Sequence, residues 1–96
     1  KIDFKKIIEI ENVTNAPLVI HGGSGISNVI RKKLARNHNV AKFNIGTELR
    51  MLFGSTVRKN ILKNKKKYDR LELLQPTIEE MKKLTIKIIS NIGPSI

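Results

Sequence analysis

A histidine at the end of a short apolar run is followed at once by glycines and a serine, an arrangement that could hold a metal ion or an anion. The run is Leu18 to Ile20, and His21 leads into Gly22-Gly23-Ser24-Gly25. An imidazole nitrogen is a good zinc ligand. Glycines let backbone N–H groups approach an anion, and the Ser24 hydroxyl adds a donor. The stretch predicts a metal or phosphate site, although a lone histidine is more often a hydrogen-bonded structural residue.

A second group of polar residues follows another short strand-like stretch, Val40 to Phe43. Asn44 offers both a donor and an acceptor to a carbonyl or hydroxyl of a substrate. Thr47 begins the next predicted helix, where it could hold a phosphate oxygen or simply cap the helix. Arg50 lies one turn further on and could bind a phosphate as a bidentate fork. The alternative for Arg50 is a surface ion pair, with Glu48 or with a neighbouring subunit.

Two strand–turn–helix units are needed to bring these groups together. The first joins the strand Leu18 to Ile20 to a helix from Ser27 to Arg36, and the second joins Val40 to Phe43 to a helix from Gly46-Thr47 to about Leu62. A helix that begins where a glycine-rich turn ends presents free N–H groups to an anion. Two consecutive units therefore predict an α/β structure with a phosphate-binding face at the carboxyl ends of its strands.

Apolar spacing predicts which helix faces are buried. Ser27 is the expected N-cap of its helix, and Asn37-His38-Asn39 is expected to end it through a left-handed asparagine, with His38 exposed. The inward residues are expected to be Val29, Ile30 and Leu34 in this helix, and Leu49, Leu52, Phe53, Val57 and Ile61 in the next.

Two further helices are expected at the ends of the chain. The first runs from Asp3, as N-cap, to Glu11, with an inner face of Phe4, Ile7 and Ile8. Tyr68 to Pro76 is expected to be irregular or a short turn of helix. A capping box at Thr77-Ile-Glu-Glu80 then opens the last helix, which Gly93-Pro94 stops. Its inward residues are expected to be Met81, Leu84 or Thr85, Ile88 and Ile92.

Length and composition narrow the class of protein. Residues 1–96 allow one domain at most, which is either a small two-layer domain or a partial domain of something larger, because a complete (β/α)₈ barrel needs about 250 residues. The formal charge is +11, from 19 Lys and Arg against 8 Asp and Glu. This invites a nucleic-acid interpretation, but the basic residues are scattered, and Lys65 to Lys67 are expected to be a solvated loop. Without cysteine or a long apolar run, a cytoplasmic protein that binds neither nucleic acid nor membrane is expected.

The joined motifs resemble a known family. Leu18-Val-Ile-His-Gly-Gly-Ser-Gly-Ile26, followed by Ala41-Lys-Phe-Asn-Ile-Gly-Thr-Glu-Leu-Arg50, resembles the carboxyl-terminal third of class II, metal-dependent fructose-bisphosphate aldolases, and more closely the branch that includes tagatose-bisphosphate aldolases. The resemblance covers essentially the whole chain. It implies the C-terminal part of a TIM (β/α)₈ barrel, about strands 7 and 8 with their flanking helices. It also implies a homo-oligomeric parent, a dimer or a tetramer.

The resemblance also implies an activity and roles for particular residues. The family cleaves a ketose 1,6-bisphosphate, reversibly, to dihydroxyacetone phosphate and glyceraldehyde 3-phosphate, with a zinc ion that polarises the ketone. His21 would be one of three zinc ligands. Asn44 would contact the carbon skeleton, and a monovalent cation often assists near the phosphate. The phosphates would be bound by Gly22, Gly23, Ser24, Thr47 and, for the second phosphate, Arg50.

This segment departs from the family pattern in ways that leave alternatives open. Gly46 stands where many members carry Asp, which fits the tagatose-like branch, and the turn at Asn37 to Asn39 is about one residue longer than usual. The other two zinc ligands and the proton-shuttling aspartate would lie on earlier strands, so no catalytic acid or base is expected within this segment. The isolated residues are expected to be inactive. The alternatives are a truncated, non-catalytic remnant and a basic nucleic-acid-binding module.

Overall fold

The computed structural model describes residues 1–94 and shows an α/β arrangement of four helices on a two-stranded parallel sheet. The elements, in chain order, are α1 (Phe4–Val13), β1 (Leu18–Ile20), a short 3₁₀ turn (Gly23–Gly25), α2 (Asn28–Asn37), β2 (Val40–Phe43), α3 (Thr47–Lys63) and α4 (Arg70–Ile92). Both predicted strands are confirmed. Leu18 lies opposite Val40, and Ile20 lies opposite Phe43. Because α2 connects parallel strands, the carboxyl ends of β1 and β2 lie at the same edge of the sheet.

The predicted N-caps of α1 and α2 are confirmed. The Asp3 carboxylate accepts a hydrogen bond from the Lys6 N–H at 3.1 Å, and the Ser27 hydroxyl accepts one from the Ile30 N–H at 3.4 Å. Each cap satisfies a backbone donor that the first turn of a helix leaves free. The expected left-handed end of α2 is wrong, because His38 follows the helix in an extended conformation.

The core lies between α1, α2 and the sheet. Ile7, Leu34 and Val40 are buried, and several half-buried apolar residues pack around them: Ile2, Phe4, Leu18, Ile20, Ile26, Ile30 and Phe43. The spacing argument is therefore right for Ile7, Ile30 and Leu34. It is wrong for Val29 and Ile8, which are exposed, because each helix contacts its neighbours through a narrower stripe than the apolar pattern suggests.

The last helix begins eight residues earlier than the capping box predicts, with its N-cap at Asp69 instead of Thr77. Asp69 caps α4 by accepting hydrogen bonds from the N–H groups of Leu71 and Glu72, and Pro76 lies inside the helix. Proline lacks an N–H and normally breaks a helix because a carbonyl one turn earlier loses its partner. Here the Asn60 side-chain amide of α3 donates to the carbonyls of Glu72 and Leu73, at 3.3 and 2.6 Å. This cross-helix contact compensates for the proline, so the irregular segment expected from Tyr68 to Pro76 is wrong.

Thr77 lies buried within α4 rather than capping it. The inward face of α4 includes Met81, Leu84 and Ile88 as expected, while Thr85 is exposed. The inner face of α3 is less well predicted: Leu49, Leu52 and Val57 are half-buried, but Phe53 and Ile61 are exposed. Polar Asn60 lies on the face towards α4 instead, because it donates to the Glu72 carbonyl, which Pro76 leaves without an N–H partner, and to the adjacent Leu73 carbonyl.

The described residues form an elongated body of about 60 × 28 × 20 Å. Its radius of gyration is 17.7 Å, against about 13 Å expected for a compact domain of some 100 residues. Large apolar side chains such as Val19, Met51, Ile78 and Ile89 are exposed. No helix among residues 1–94 is both long and apolar enough to cross a membrane.

Candidate functional site

The carboxyl ends of the two strands meet through His21 and Asn44. The Asn44 side-chain amide nitrogen lies 3.1 Å from Nδ1 of His21. The Asn44 backbone N–H donates to the Ile20 carbonyl at 2.9 Å, and the Gly23 N–H donates to the Asn44 carbonyl at 2.9 Å. These bonds extend the strand pairing into both loops. The sheet therefore places side by side two site residues that are 23 positions apart in the chain.

The His21 ring is exposed and can present a nitrogen to a ligand. In a neutral imidazole one nitrogen carries a proton and the other a lone pair, so the partner of Nδ1 determines which nitrogen is free. With its amide nitrogen towards Nδ1, Asn44 donates to the Nδ1 lone pair and Nε2 carries the ring proton. With the carboxamide turned over, its oxygen would accept from Nδ1–H and the Nε2 lone pair would be free for a metal. Such hydrogen bonds hold metal-ligating histidines in orientation.

The glycine loop requires glycine at two positions for different reasons. Gly22 has a φ of 65°, in the left-handed region that disfavours other residues. Gly23 is buried, and a Cβ there would lie 3.0 Å from Cγ1 of Ile45 and 3.2 Å from the Asn44 carbonyl oxygen. The loop can therefore lie directly against the β2 end only with glycine at position 23.

The Ser24 hydroxyl joins this loop to the start of α3. Its oxygen accepts a hydrogen bond from the Glu48 N–H at 3.1 Å. A hydroxyl that accepts through its oxygen still has its own proton to donate. Ser24 can therefore donate to an anion at the N-terminus of α3, where the remaining free N–H groups and the helix dipole also favour negative charge.

An open cleft brings together most of the residues predicted to bind phosphate. Gly22, Ser24, Asn44, Thr47 and Arg50 all line it. Gly23 lies behind the cleft and His21 lines an adjacent one on the other side of the loop, with Gly25 and Ile26. The predicted residues therefore gather at a single edge of the sheet, and their roles in binding stay predictions.

Thr47 and Arg50 are both exposed at the mouth of this cleft. Gly46 occupies the N-cap position of α3 and has no side chain with which to cap the helix. Thr47 is the first helical residue, so it does not act as the N-cap. Among residues 1–94, Arg50 forms no ion pair. Its guanidinium lies over Gly46, where an added Cβ would be 3.2 Å from Nη2. The alternative pairing of Arg50 with Glu48 is not formed, since Glu48 bonds elsewhere.

Arg31 is the residue near this site that sequence reasoning missed. It is one of the scattered basic residues for which the sequence pattern predicts no role, yet its side chain is only 4% exposed. Its Nε donates to the Ile26 carbonyl at 2.8 Å, and its Nη2 lies 2.9 Å from the Glu48 carboxylate. The signal was present in the spacing, because Arg31 precedes buried Leu34 by three positions and so shares its face of α2.

His38 is not the exposed loop residue that the sequence suggests. Its side chain is 9% exposed, with Nδ1 3.1 Å from the Glu11 carboxylate. Its ring lies against Phe4, with the centroids 5.4 Å apart. The Asn39 N–H also donates to Glu11, and these two bonds, the Asn39 bond first, lower the pKa of Glu11 below its usual 4.5. His38 is thus a structural residue far from the cleft.

A divalent metal would find one candidate ligand here. Within the described part of the chain, no group of three or more His, Cys, Asp or Glu residues is placed to hold a metal ion. A zinc site needs about three protein ligands. His21 fits the role of a single ligand, so these residues do not form a complete site, and any further ligands must come from outside them.

Comparison with known proteins agrees with this geometry. The sequence profile described as fructose-bisphosphate aldolase class-II matches residues 1–95. The parallel pairing of β1 and β2, with a glycine loop at their carboxyl ends, is the arrangement of an α/β protein. The chain belongs to the class-II fructose-bisphosphate aldolase family.

Two curated relatives carry the name fructose-bisphosphate aldolase. One, from Mycoplasma genitalium, is 40% identical over 84 residues, which cover 79% of this chain and 28% of that protein. The other, from Ureaplasma parvum, is 36% identical over 90 residues, which cover 88% of this chain and 31% of that protein. The chain therefore spans less than a third of the length of the relatives it matches.

Proposed function

We propose that these residues form the last two βα units of a (β/α)₈ barrel that cleaves fructose 1,6-bisphosphate, or tagatose 1,6-bisphosphate, to dihydroxyacetone phosphate and glyceraldehyde 3-phosphate. The observation that supports this most strongly is the meeting of His21, Asn44 and Ser24 at one edge of the β1–β2 sheet. Active sites of such barrels lie at the carboxyl ends of the strands, and their phosphate sites are often built from the last two loops.

The chain's own contribution would be to bind and orient a phosphorylated ketose. The free N–H groups of the glycine loop and of the α3 N-terminus, with the hydroxyls of Ser24 and Thr47, would hold the phosphate of the dihydroxyacetone half. Arg50, exposed at the cleft mouth and unpaired among residues 1–94, would bind the other phosphate. Fixing both ends would hold the scissile carbon–carbon bond near the β1 and β2 ends.

His21 would be one ligand of a divalent metal, zinc by the family resemblance. When bound, such a metal polarises the substrate carbonyl as a Lewis acid. Asn44 would hold the His21 ring and, through the rest of its carboxamide, contact the carbon skeleton beside the carbonyl. We assign no general acid or base to these residues, because no carboxylate lines the cleft.

The test is aldol cleavage by the protein as its source makes it, assayed by release of dihydroxyacetone phosphate from each ketose bisphosphate. Cleavage that a chelator abolishes and added zinc restores is the expected result. Activity that resists chelation and is trapped by borohydride, as a lysine Schiff base would be, contradicts the proposal. Residues 1–96 alone are expected to be inactive, because they supply a single metal ligand.

A further inference from the structure

Arg31 is a buried cation that connects the glycine loop to the start of α3. It lies in the first turn of α2, and its three side-chain nitrogens have different surroundings. Nε bonds the Ile26 carbonyl just after the loop, and Nη2 bonds the carboxylate of Glu48 in the first turn of α3. Nη1 is buried and has no hydrogen-bond partner among residues 1–94. One side chain thus contacts both segments proposed to bind phosphate.

Stability alone does not account for this residue. Removing a charged group from water is costly, and a buried donor without an acceptor adds to that cost. A buried ion pair can often be replaced by apolar residues of similar volume without loss of stability. Because Arg31 keeps a buried Nη1 unpartnered, its presence indicates a role that its hydrogen bonds do not fully explain.

That role follows from the position of Glu48. Its backbone N–H donates to the Ser24 hydroxyl, so Glu48 is held next to a residue proposed to bind phosphate. A phosphate dianion at Ser24 and Thr47 would be repelled by an uncompensated carboxylate on the adjacent Glu48. The Glu48 side chain is 28% exposed and pairs with Arg31 at 2.9 Å, so its charge is balanced by a residue that does not itself line the cleft.

We propose that Arg31 is a positioning residue for phosphate binding, which neutralises the Glu48 carboxylate and fixes the Ile26 end of the glycine loop against α3. The proposal rests on the proposed function, since it requires a phosphate site at Ser24. Arg31 does not line the cleft and does not touch the phosphate; it acts through Glu48 and Ile26.

The experiment measures the dissociation constant of inorganic phosphate, by calorimetry, for the protein as its source makes it. The variants are R31M, E48Q and R31M/E48Q, with R36M as the matched control because Arg36 is an exposed arginine in the same helix. S24A establishes that the binding measured occurs at the proposed site. A thermal melt of each variant reports whether it folds.

We expect R31M to weaken phosphate binding by about fivefold to tenfold, as an uncompensated charge nearby would. R36M should stay within about twofold of wild type, since an exposed charge at a distance is screened by solvent and salt. E48Q should bind phosphate as tightly as wild type or more tightly, and R31M/E48Q should recover most of the loss because the repelling carboxylate is gone. A merely structural role would make E48Q weaken binding as R31M does.

Two outcomes overturn the inference and leave the proposed function standing. In the first, R31M changes the phosphate dissociation constant no more than R36M does. In the second, E48Q weakens phosphate binding while the loss of binding in S24A confirms the site. If R31M does not fold, the phosphate dissociation constants of E48Q and R31M/E48Q decide instead. Binding close to wild type or tighter supports the inference, and weaker binding contradicts it. If wild type binds no phosphate, or S24A leaves binding unchanged, both the proposed function and this inference are wrong.

Discussion

The Asn44 carboxamide contacts Nδ1 of His21 at 3.1 Å, which joins the end of β2 to the end of β1 at the edge where the glycine loop begins. The contact holds the His21 ring beside Asn44, and the orientation of the carboxamide determines which ring nitrogen carries the proton. Neither residue could be assigned this relationship from its own neighbours in the chain. It follows from the parallel pairing of two short strands.

Replacing His21 with alanine tests its proposed role as a metal ligand. The H21A variant is expected to lose zinc affinity and aldol cleavage by about 100-fold or more, since even changes next to a metal ligand cost about 10–100-fold. Bound zinc, measured by elemental analysis after dialysis, is the direct readout. Because His21 is exposed, the melting temperature without metal should stay close to wild type.

His38 provides the contrasting substitution. An H38N variant is expected to lower the melting temperature, because His38 packs on Phe4 and bonds Glu11, and to leave zinc content unchanged. Loss of zinc from H38N with retention of zinc in H21A would contradict the assignment of His21.

Ser24 is expected to contribute to binding the phosphate of the substrate. An S24A variant removes a hydroxyl donor and leaves the Glu48 N–H without its acceptor. The KM for the ketose bisphosphate should rise about tenfold, as loss of a charge-assisted hydrogen bond predicts. S55A is the matched control, since Ser55 lies further along α3 and bonds the Leu52 carbonyl. Equal effects of the two substitutions on KM would argue against a phosphate at Ser24.

Acid should weaken the contact between α1 and the segment after α2. The pKa of Glu11 is lowered in the folded protein by the Asn39 N–H and then by His38. A carboxyl group whose pKa falls on folding stabilises the protein above its unfolded value of about 4.5, and this contribution is lost as the pH falls through the folded pKa. The E11Q variant should therefore melt below wild type at neutral pH. The two melting curves should converge below about pH 4.5, and a difference that grows on acidification would contradict this account.

The contact between Asn60 and the proline turn of α4 should be measurable by a double-mutant cycle. N60A leaves the carbonyls of Glu72 and Leu73 without their side-chain donor and should cost about 1–2 kcal/mol of unfolding free energy. In a P76A background the helix regains a backbone N–H, so N60A should cost less. Urea unfolding gives both values, and an additive cycle would show that the two residues act independently.

The sequence predicted those parts of the structure that depend on local chemistry. Both strands, the Asp3 and Ser27 caps and the position of the glycine loop follow from residue type and spacing. Because the carboxyl ends of parallel strands lie at the same edge of a sheet, the sequence also predicted that the binding residues would share that edge. Those inferences needed no knowledge of distant contacts.

The parts that could not be predicted depend on partners far along the chain. Pro76 is tolerated inside α4 because Asn60, sixteen positions earlier, donates to the Glu72 carbonyl that the proline leaves unpaired and to the neighbouring Leu73 carbonyl. Arg31 is buried because Glu48 balances it, and His38 is covered because Glu11 and Phe4 are brought to it. A local pattern contains no signal for such pairings, so it predicts an exposed His38 and no role for Arg31 or Asn60.

The central claim is tested most directly by a structure of the protein, as its source makes it, with dihydroxyacetone phosphate and zinc bound. The claim is that the ends of β1 and β2 form one ligand site. The account predicts the phosphate within hydrogen-bonding distance, about 3 Å, of the Ser24 hydroxyl and the first N–H groups of α3, with a His21 nitrogen on the metal. A phosphate bound away from Ser24 and Thr47, or a metal without His21 among its ligands, would contradict it.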